Sequence, residues 1–283
     1  MAKRLLLAFA MALALGAGVL YWAGSHLTRP AYSSAGEPDP ELFATPVLIP
    51  NQKGYVAGWV ARGAGSGAIL LLHGVRADRR QMQARALFLN RLGYTVLLID
   101  LPAHGESLGE AITFGAREAD GVRVALAWLA RNLPGEKIGV IGTSLGAASL
   151  VLAKPGKQID ALVIEAMYPT IDEATANRLA LHGGAPARIL APLLLMQLPW
   201  RIGVTPDQLR PIDAMQSLAC PVLVIGGAQD RHTPQEETRR IFAAAKEPKQ
   251  LWLVDGAAHV DLHEAARTEY EQRVGAFLSA HLR

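Results

Sequence analysis

Three residues of this 283-residue chain have the types and spacing that acyl transfer requires, and each follows an apolar run. Ser144 sits in the stretch Gly142, Thr143, Ser144, Leu145, Gly146, directly after the run Ile138 to Ile141. A serine boxed this way by two glycines fits a sharp strand-to-helix reversal, which exposes the hydroxyl because the glycines leave room that larger side chains would fill. A serine hydroxyl is a weak nucleophile near neutral pH. It needs a base within hydrogen-bond reach and a group that orients that base. Asp230 closes the stretch "LVIGGAQD" and His259 closes "LWLVDGAAH", so a carboxylate and an imidazole each follow an apolar strand pattern.

The elements that must position these residues alternate along the chain. The runs "AILLLHG", "YTVLLID", "KIGVIG", "DALVIEA", "PVLVIGG" and "KQLWLVDG" read as strands, most of them separated by amphipathic helical segments such as "RRQMQARALFLNRLG". Continuous apolar strands alternating with helices indicate a mostly parallel sheet covered on both faces. Ser144, Asp230 and His259 then share the C-terminal edge of that sheet, where open α/β folds place their sites. "TPVLIP" and "YVAGWVAR" flank the turn signal "NQKG", so an antiparallel strand pair opens the domain near Ala44. From about residue 167 to 218 no strand pattern appears. The apolar stretch "ARILAPLLLMQLPWRIGV" there, broken by Pro192 and Pro199, reads as a helical cap, with Leu194, Met196, Leu198 and Trp200 as candidates for pocket lining.

With "LLLHG", "DLPAHGES", "GTSLGA", "VLVIGGAQD" followed by "HTP", and "DGAAHVDL" in this order, the chain from about Ala44 to Arg283 resembles an α/β-hydrolase fold serine hydrolase of the serine-aminopeptidase-like and Bem46-like branch. The order Ser144, Asp230, His259 is the one this architecture uses. The resemblance implies Ser144 as nucleophile, His259 as general base and then acid, and Asp230 as the carboxylate that orients it. It also implies an oxyanion hole of backbone N–H groups, from Leu145 and from Val75 in the loop after "LLLHG". Asp100 and the "HGES" stretch resemble a family motif that braces neighbouring loops. Serine at the nucleophile position argues against the aspartate-dependent chemistry of dehalogenases and epoxide hydrolases.

Each role has a rival. Glu165 ends the strand before Asp230 and is a second candidate acid, while His263 follows His259 by four residues, one helical turn on. His73, His104 and His232 are expected in structural or surface positions. The expected reaction is cleavage of a carboxylic ester, small or lipid-derived, through an acyl-serine. The alternatives are an aminopeptidase or amidase of the same fold, for which Glu165, Asp172 and Glu173 are candidate anchors of a free amine, and a non-catalytic binding protein.

Composition narrows the rest. Hydrophobic residues make up 51% of the chain, enough for a large core, and the formal charge of +3 forms no basic stripe that would argue for nucleic acid. The single cysteine, Cys220, excludes an intrachain disulfide and reads as a small core residue. No metal-ligand cluster or phosphate loop is present in the sequence, so no cofactor or metal is expected. The uncharged run Leu5 to Gly24 follows Lys3 and Arg4, and its length fits a membrane anchor better than a cleaved signal peptide. Either reading places the catalytic domain outside the cytoplasm. Residues 1–24 are therefore expected as the anchor or signal, 25–43 as a linker and 44–283 as the hydrolase domain.

Overall fold

The computed structural model describes all 283 residues. It opens with helix α1 (Ala2–Thr28) and the short strand β1 (Ala31–Tyr32). The strand pair β2 (Thr45–Asn51) and β3 (Gly54–Ala61) follows, then β4 (Ala68–Leu72), α2 (Gln83–Arg91), β5 (Thr95–Ile99) and the two-residue β6 (His104–Gly105). Next come α3 (Glu118–Asn132), β7 (Ile138–Thr143), α4 (Leu145–Ala153) and β8 (Ala161–Glu165). Four helices then run without a strand between them: α5 (Ile171–Gly183), α6 (Ala191–Leu195), α7 (Leu198–Ile202) and α8 (Pro211–Ala214). The chain ends through β9 (Val222–Gly227), α9 (Gln235–Ala244), β10 (Lys249–Val254), α10 (Leu262–Ala265) and α11 (Arg267–Leu282).

Eight strands form one sheet in the order β10-β9-β8-β7-β4-β5-β3-β2. The six from β10 to β5 run parallel, and β3 is antiparallel to both β5 and β2. This is an α/β-hydrolase fold. Every residue of β4, β5, β7, β8 and β9 is buried, as expected for strands covered by helices on both faces. Leu70 and Leu72 of β4 face a core shared with α3 and α4, whereas Ile69 and Leu71 face one shared with α2 and α11. Removing each such leucine from water contributes about 2 kcal/mol, so the central strands are the most firmly held part of the chain.

The cap over residues 167–218 is wholly helical and has a small core of its own, including Ile171, Leu195, Leu198, Ile202 and Leu209. Leu194 and Leu198 point into the cavity described below. Met196 and Trp200 do not, being 64% and 60% exposed. Two short helices, each with a proline in its first turn, turn alternate apolar residues to opposite sides.

The structure corrects the expected linker. Helix α1 continues through Thr28, and the extended segment after it lies on the domain: β1 pairs in parallel with β6, Ser33 Oγ donates to Asp78 Oδ2, and Ala35 and Leu42 are buried. Prolines and small polar residues kept this stretch extended, and an extended backbone can add itself to the free edge of a short strand.

Helix α1 is long and apolar enough to cross a membrane by length and composition. Its 27 residues span about 40 Å at the helical rise of about 1.5 Å.

Candidate active site

Ser144 occupies the turn between β7 and α4 with φ 50° and ψ −108°, a conformation costly for a residue with a Cβ. The surrounding contacts impose it. The Ser144 N–H donates to Glu165 O at 2.8 Å. A Cβ on Gly142 would lie 2.7 Å from Ala147 N, and one on Gly146 would lie 2.5 Å from Leu72 O, so helix and strand approach too closely for any side chain there. The Ser144 side chain lines a cavity.

Asp230 and His259 sit in the loops after β9 and β10, on the same sheet edge as Ser144. Asp230 Oδ1 accepts the backbone N–H groups of His232 at 2.7 Å and Thr233 at 2.9 Å. Its Oδ2 lies 2.7 Å from His259 Nδ1. The aspartate side chain is only 1% exposed and the imidazole 23%, so the carboxylate is fixed by backbone donors while the ring stays open to solvent. The structure brings Asp230 and His259 together directly. It places Ser144 on the same edge without a hydrogen bond to the imidazole.

The rival residues are committed elsewhere. Glu165 is fully buried and binds Arg85 through two hydrogen bonds of 2.8 and 3.1 Å, Thr143 Oγ1 at 2.7 Å, and the Tyr270 hydroxyl. Burial opposes the Arg85 charge, but Glu165, Tyr270 and Asp261 more than offset it and hold the guanidinium firmly protonated. His263 Nε2 is 3.1 Å from Glu271, and the ring packs against Phe88 and Tyr270. His73 is fully buried. Its Nδ1 lies 2.7 Å from Gly74 O, and Leu101 N–H donates to its Nε2. Burial, reinforced by His104, lowers its pKa to about 3. Cys220 is buried in the core, and burial pushes its thiol up to about 12.

Leu145 and Val75, the residues expected to offer backbone N–H groups, line the cavity with Ser144. The N–H of Leu145, first residue of α4, has no partner within its own helix. The Val75 N–H donates to no protein group, and the preceding residue is braced, because Gln81 Oε1 accepts from Gly74 N at 2.7 Å. Asp100 ties neighbouring loops together: it accepts from Arg79 N at 2.7 Å and Glu106 N at 2.8 Å, and pairs with the Arg79 guanidinium. Nothing in the sequence pattern marked Gln81, whose role depends on the loop folding back on itself.

The cavity has a volume of about 560 Å³. Ser144, Leu145 and Val75 lie at its sheet end, and Leu194, Leu195 and Leu198 of the cap form one wall. A second wall is the last part of α1, from Trp22 to Leu27. Helix α1 is docked there by side chains: Gln197 donates to Leu20 O at 3.1 Å, and Arg201 donates to Tyr21 O at 2.6 Å and Ser25 Oγ at 2.7 Å. A Cβ on Gly24 would lie 2.6 Å from Gln197 Oε1, so this glycine permits the close approach. His232, expected as a structural or surface residue, stacks on His259 with ring centroids 4.7 Å apart. Burial, and then the neighbouring His259, lower its pKa.

The model of the alpha/beta hydrolase family matches residues 69–273. This chain belongs to that family. It is similar to the uncharacterized protein YqkD of Bacillus subtilis (strain 168), with 28% identity over 246 residues that cover 84% of this chain and 80% of the relative. Among solved structures it is similar to the Pyrococcus furiosus esterase Pf2001, with a TM-score of 0.77 and 24% identity, covering 91% of this chain and 99% of that one. It is also similar to a thermophilic esterase from Thermogutta terrifontis, with a TM-score of 0.63 and 19% identity, covering 85% and 100%. Family and neighbours together support hydrolase activity and a small-molecule substrate.

Proposed function

We propose that this family member is a serine hydrolase that cleaves a carboxylic ester of apolar, lipid-like character through an acyl-Ser144 intermediate. The observation that carries this reading is the strained serine at the end of β7, its side chain lining an apolar cavity, with a histidine–carboxylate pair on the same sheet edge. His259 Nε2 takes the Ser144 proton as Oγ attacks the ester carbonyl, and the imidazolium gains from Asp230, which positions the ring through Nδ1. Leu145 and Val75 donate their N–H groups to the oxyanion that forms. The alcohol leaves with the proton from His259. Water then attacks the acyl group and gives a proton to His259, which passes it to Ser144 Oγ as the acyl–oxygen bond breaks and the acid is released.

Thirteen of the 22 cavity-lining residues are hydrophobic, which favours an apolar acyl chain. The aminopeptidase alternative needs a carboxylate to hold a free ammonium group, and no Asp or Glu lines the cavity. Asp172 is exposed, Glu173 is paired with Arg240, and Glu165 is enclosed with Arg85. In our reading α1 is a retained membrane anchor that leaves the catalytic domain outside the cytoplasm, because its last turns complete the wall beside Ser144.

The test is labelling of the full chain in detergent by a fluorophosphonate, followed by turnover of a graded series of acyl esters. The account expects one label per chain, absent in Ser144→Ala, and faster turnover of medium or long acyl chains than of acetyl esters. A folded protein that takes no label would favour the binding-protein alternative.

A further inference from the structure

The cavity is apolar, yet its charged lining is all of one sign. Arg76, Arg178 and Arg201 contribute to it, as do His26 and His182, and no acidic residue does. None of the three arginines forms a salt bridge. Arg76 and Arg201 have a structural use, since their hydrogen bonds run to neutral groups of α1 and of Gln197. Arg178 has none of comparable weight. Its one hydrogen bond is to Ala174 O at 3.2 Å, within its own helix, and burial lowers its pKa. Asp230 and Glu237 act on it only through space. A half-buried guanidinium facing a cavity without a bound carboxylate is poorly compensated by the protein itself.

The wall opposite the sheet points to the source of the ligand. Trp22 to Leu27 belong to the end of the apolar helix α1, and the Arg201 guanidinium lies against the rings of both Tyr21 and Trp200, 4.3 and 4.5 Å from their centroids. Aromatic residues at the end of an apolar helix mark the membrane interface. The cap also exposes the apolar residues Ile189, Leu193 and Met196, and Trp200 of the cap stacks on Tyr21 of the helix.

We infer that the cavity takes a membrane-resident acyl ester with a negatively charged head group, held by Arg178 with Arg201 and Arg76 at the α1 side. This rests on the proposed ester hydrolysis and refines its substrate class. The acyl chain lies among Leu194, Leu195 and Leu198, and the guanidinium groups receive the anion.

The experiment compares kcat/KM of the full chain, in micelles of a neutral detergent, for myristoyl lysophosphatidylglycerol and myristoyl lysophosphatidylcholine. The two share acyl chain and ester and differ in net head-group charge. The expected preference for the anionic ester is about tenfold or more, carried mainly by KM, because hydrogen bonds to a charged group are stronger than those between neutral groups. Arg178→Gln and Arg201→Gln lower that ratio several-fold, and Arg178→Lys retains most of it. Arg131→Gln removes an exposed charge outside the cavity and leaves the ratio unchanged. A ratio at or below one overturns the inference, as does a ratio that falls equally in Arg131→Gln or in neither cavity variant. Faster turnover of a freely dissolved short-chain anionic ester than of the micellar one overturns the membrane source. Absence of fluorophosphonate labelling sinks the ester-hydrolase reading itself; labelling with no head-group preference sinks only this inference.

Discussion

The sheet edge and the cap side of the cavity are built in different ways. At the sheet edge, Ser144 and Asp230 are fixed by backbone: Ser144 by its donation to Glu165 O and the close packing at Gly142 and Gly146, Asp230 by two N–H donors from its own turn. On the cap side the walls meet through long side chains, Gln197 and Arg201 against α1, joining residues 176 to 180 positions apart. Backbone placement resists deformation, whereas a wall made by side chains can reshape around different ligands. Under the proposed function, the difference separates reactivity from selectivity: the edge would hold the reacting groups and the cap side would sort substrates.

The largest expected effects lie at the edge. Ser144→Ala lowers ester turnover by about 10⁴ to 10⁶-fold with the circular dichroism spectrum unchanged, and Asp230→Asn lowers kcat by about 10⁴-fold because the imidazole loses the partner that sets its tautomer. A loss under tenfold for either in a steady-state assay would break the division. Next comes Gly146→Val, which drives a side chain into the carbonyls of Leu72 and His73. Overpacking of this kind costs about 1–3 kcal/mol, read as a lower urea midpoint, with activity falling further than stability as Ser144 shifts.

On the cap side the expected effects are smaller and selective. Leu194→Trp fills part of the acyl wall and lowers kcat/KM for long acyl esters about tenfold relative to butyryl esters. A uniform drop across chain lengths would mean that the cap shapes the reacting groups too.

The smallest effect on activity concerns the scaffold beneath the edge. His73 is buried neutral with its pKa lowered to about 3, against 6.5 in the unfolded chain. Its contribution to stability is therefore complete above about pH 6.5 and declines as pH falls from there toward 3, because only the unfolded chain takes up the proton in that window. His73→Gln is expected to be less stable at pH 8 and to lose less stability between pH 6.5 and 4 than the parent protein, measured by urea denaturation.

The same two regions differ in how far they can be read from sequence. Ser144, Asp230 and His259 each follow a strand by one to a few residues, close to Gly or Pro, and such local patterns carry their own geometry. The antiparallel β2–β3 pair and the mostly parallel character of the sheet were legible for the same reason, whereas the strand order was not. The resemblance already favours Asp230 over Glu165, but what occupies Glu165 was not legible, since only the fold brings Arg85, Thr143 and Tyr270 onto it. The cap was legible as helical and apolar but not in its facing, so Met196 and Trp200 turned outward where Leu194 and Leu198 did not. Packing of α1 and of residues 25–43 on the domain was not legible at all. It depends on contacts between distant segments, and neither periodicity nor turn chemistry reports those.

The central claim is a covalent acyl group on Ser144. Its most direct test mixes the full chain with an excess of p-nitrophenyl octanoate, quenches in acid within the first turnover, and maps the peptides by mass spectrometry. The account predicts a burst of nitrophenol and an octanoyl group on the peptide containing Ser144. Turnover with no acylated peptide at any quench time, or acylation at another residue, would contradict it.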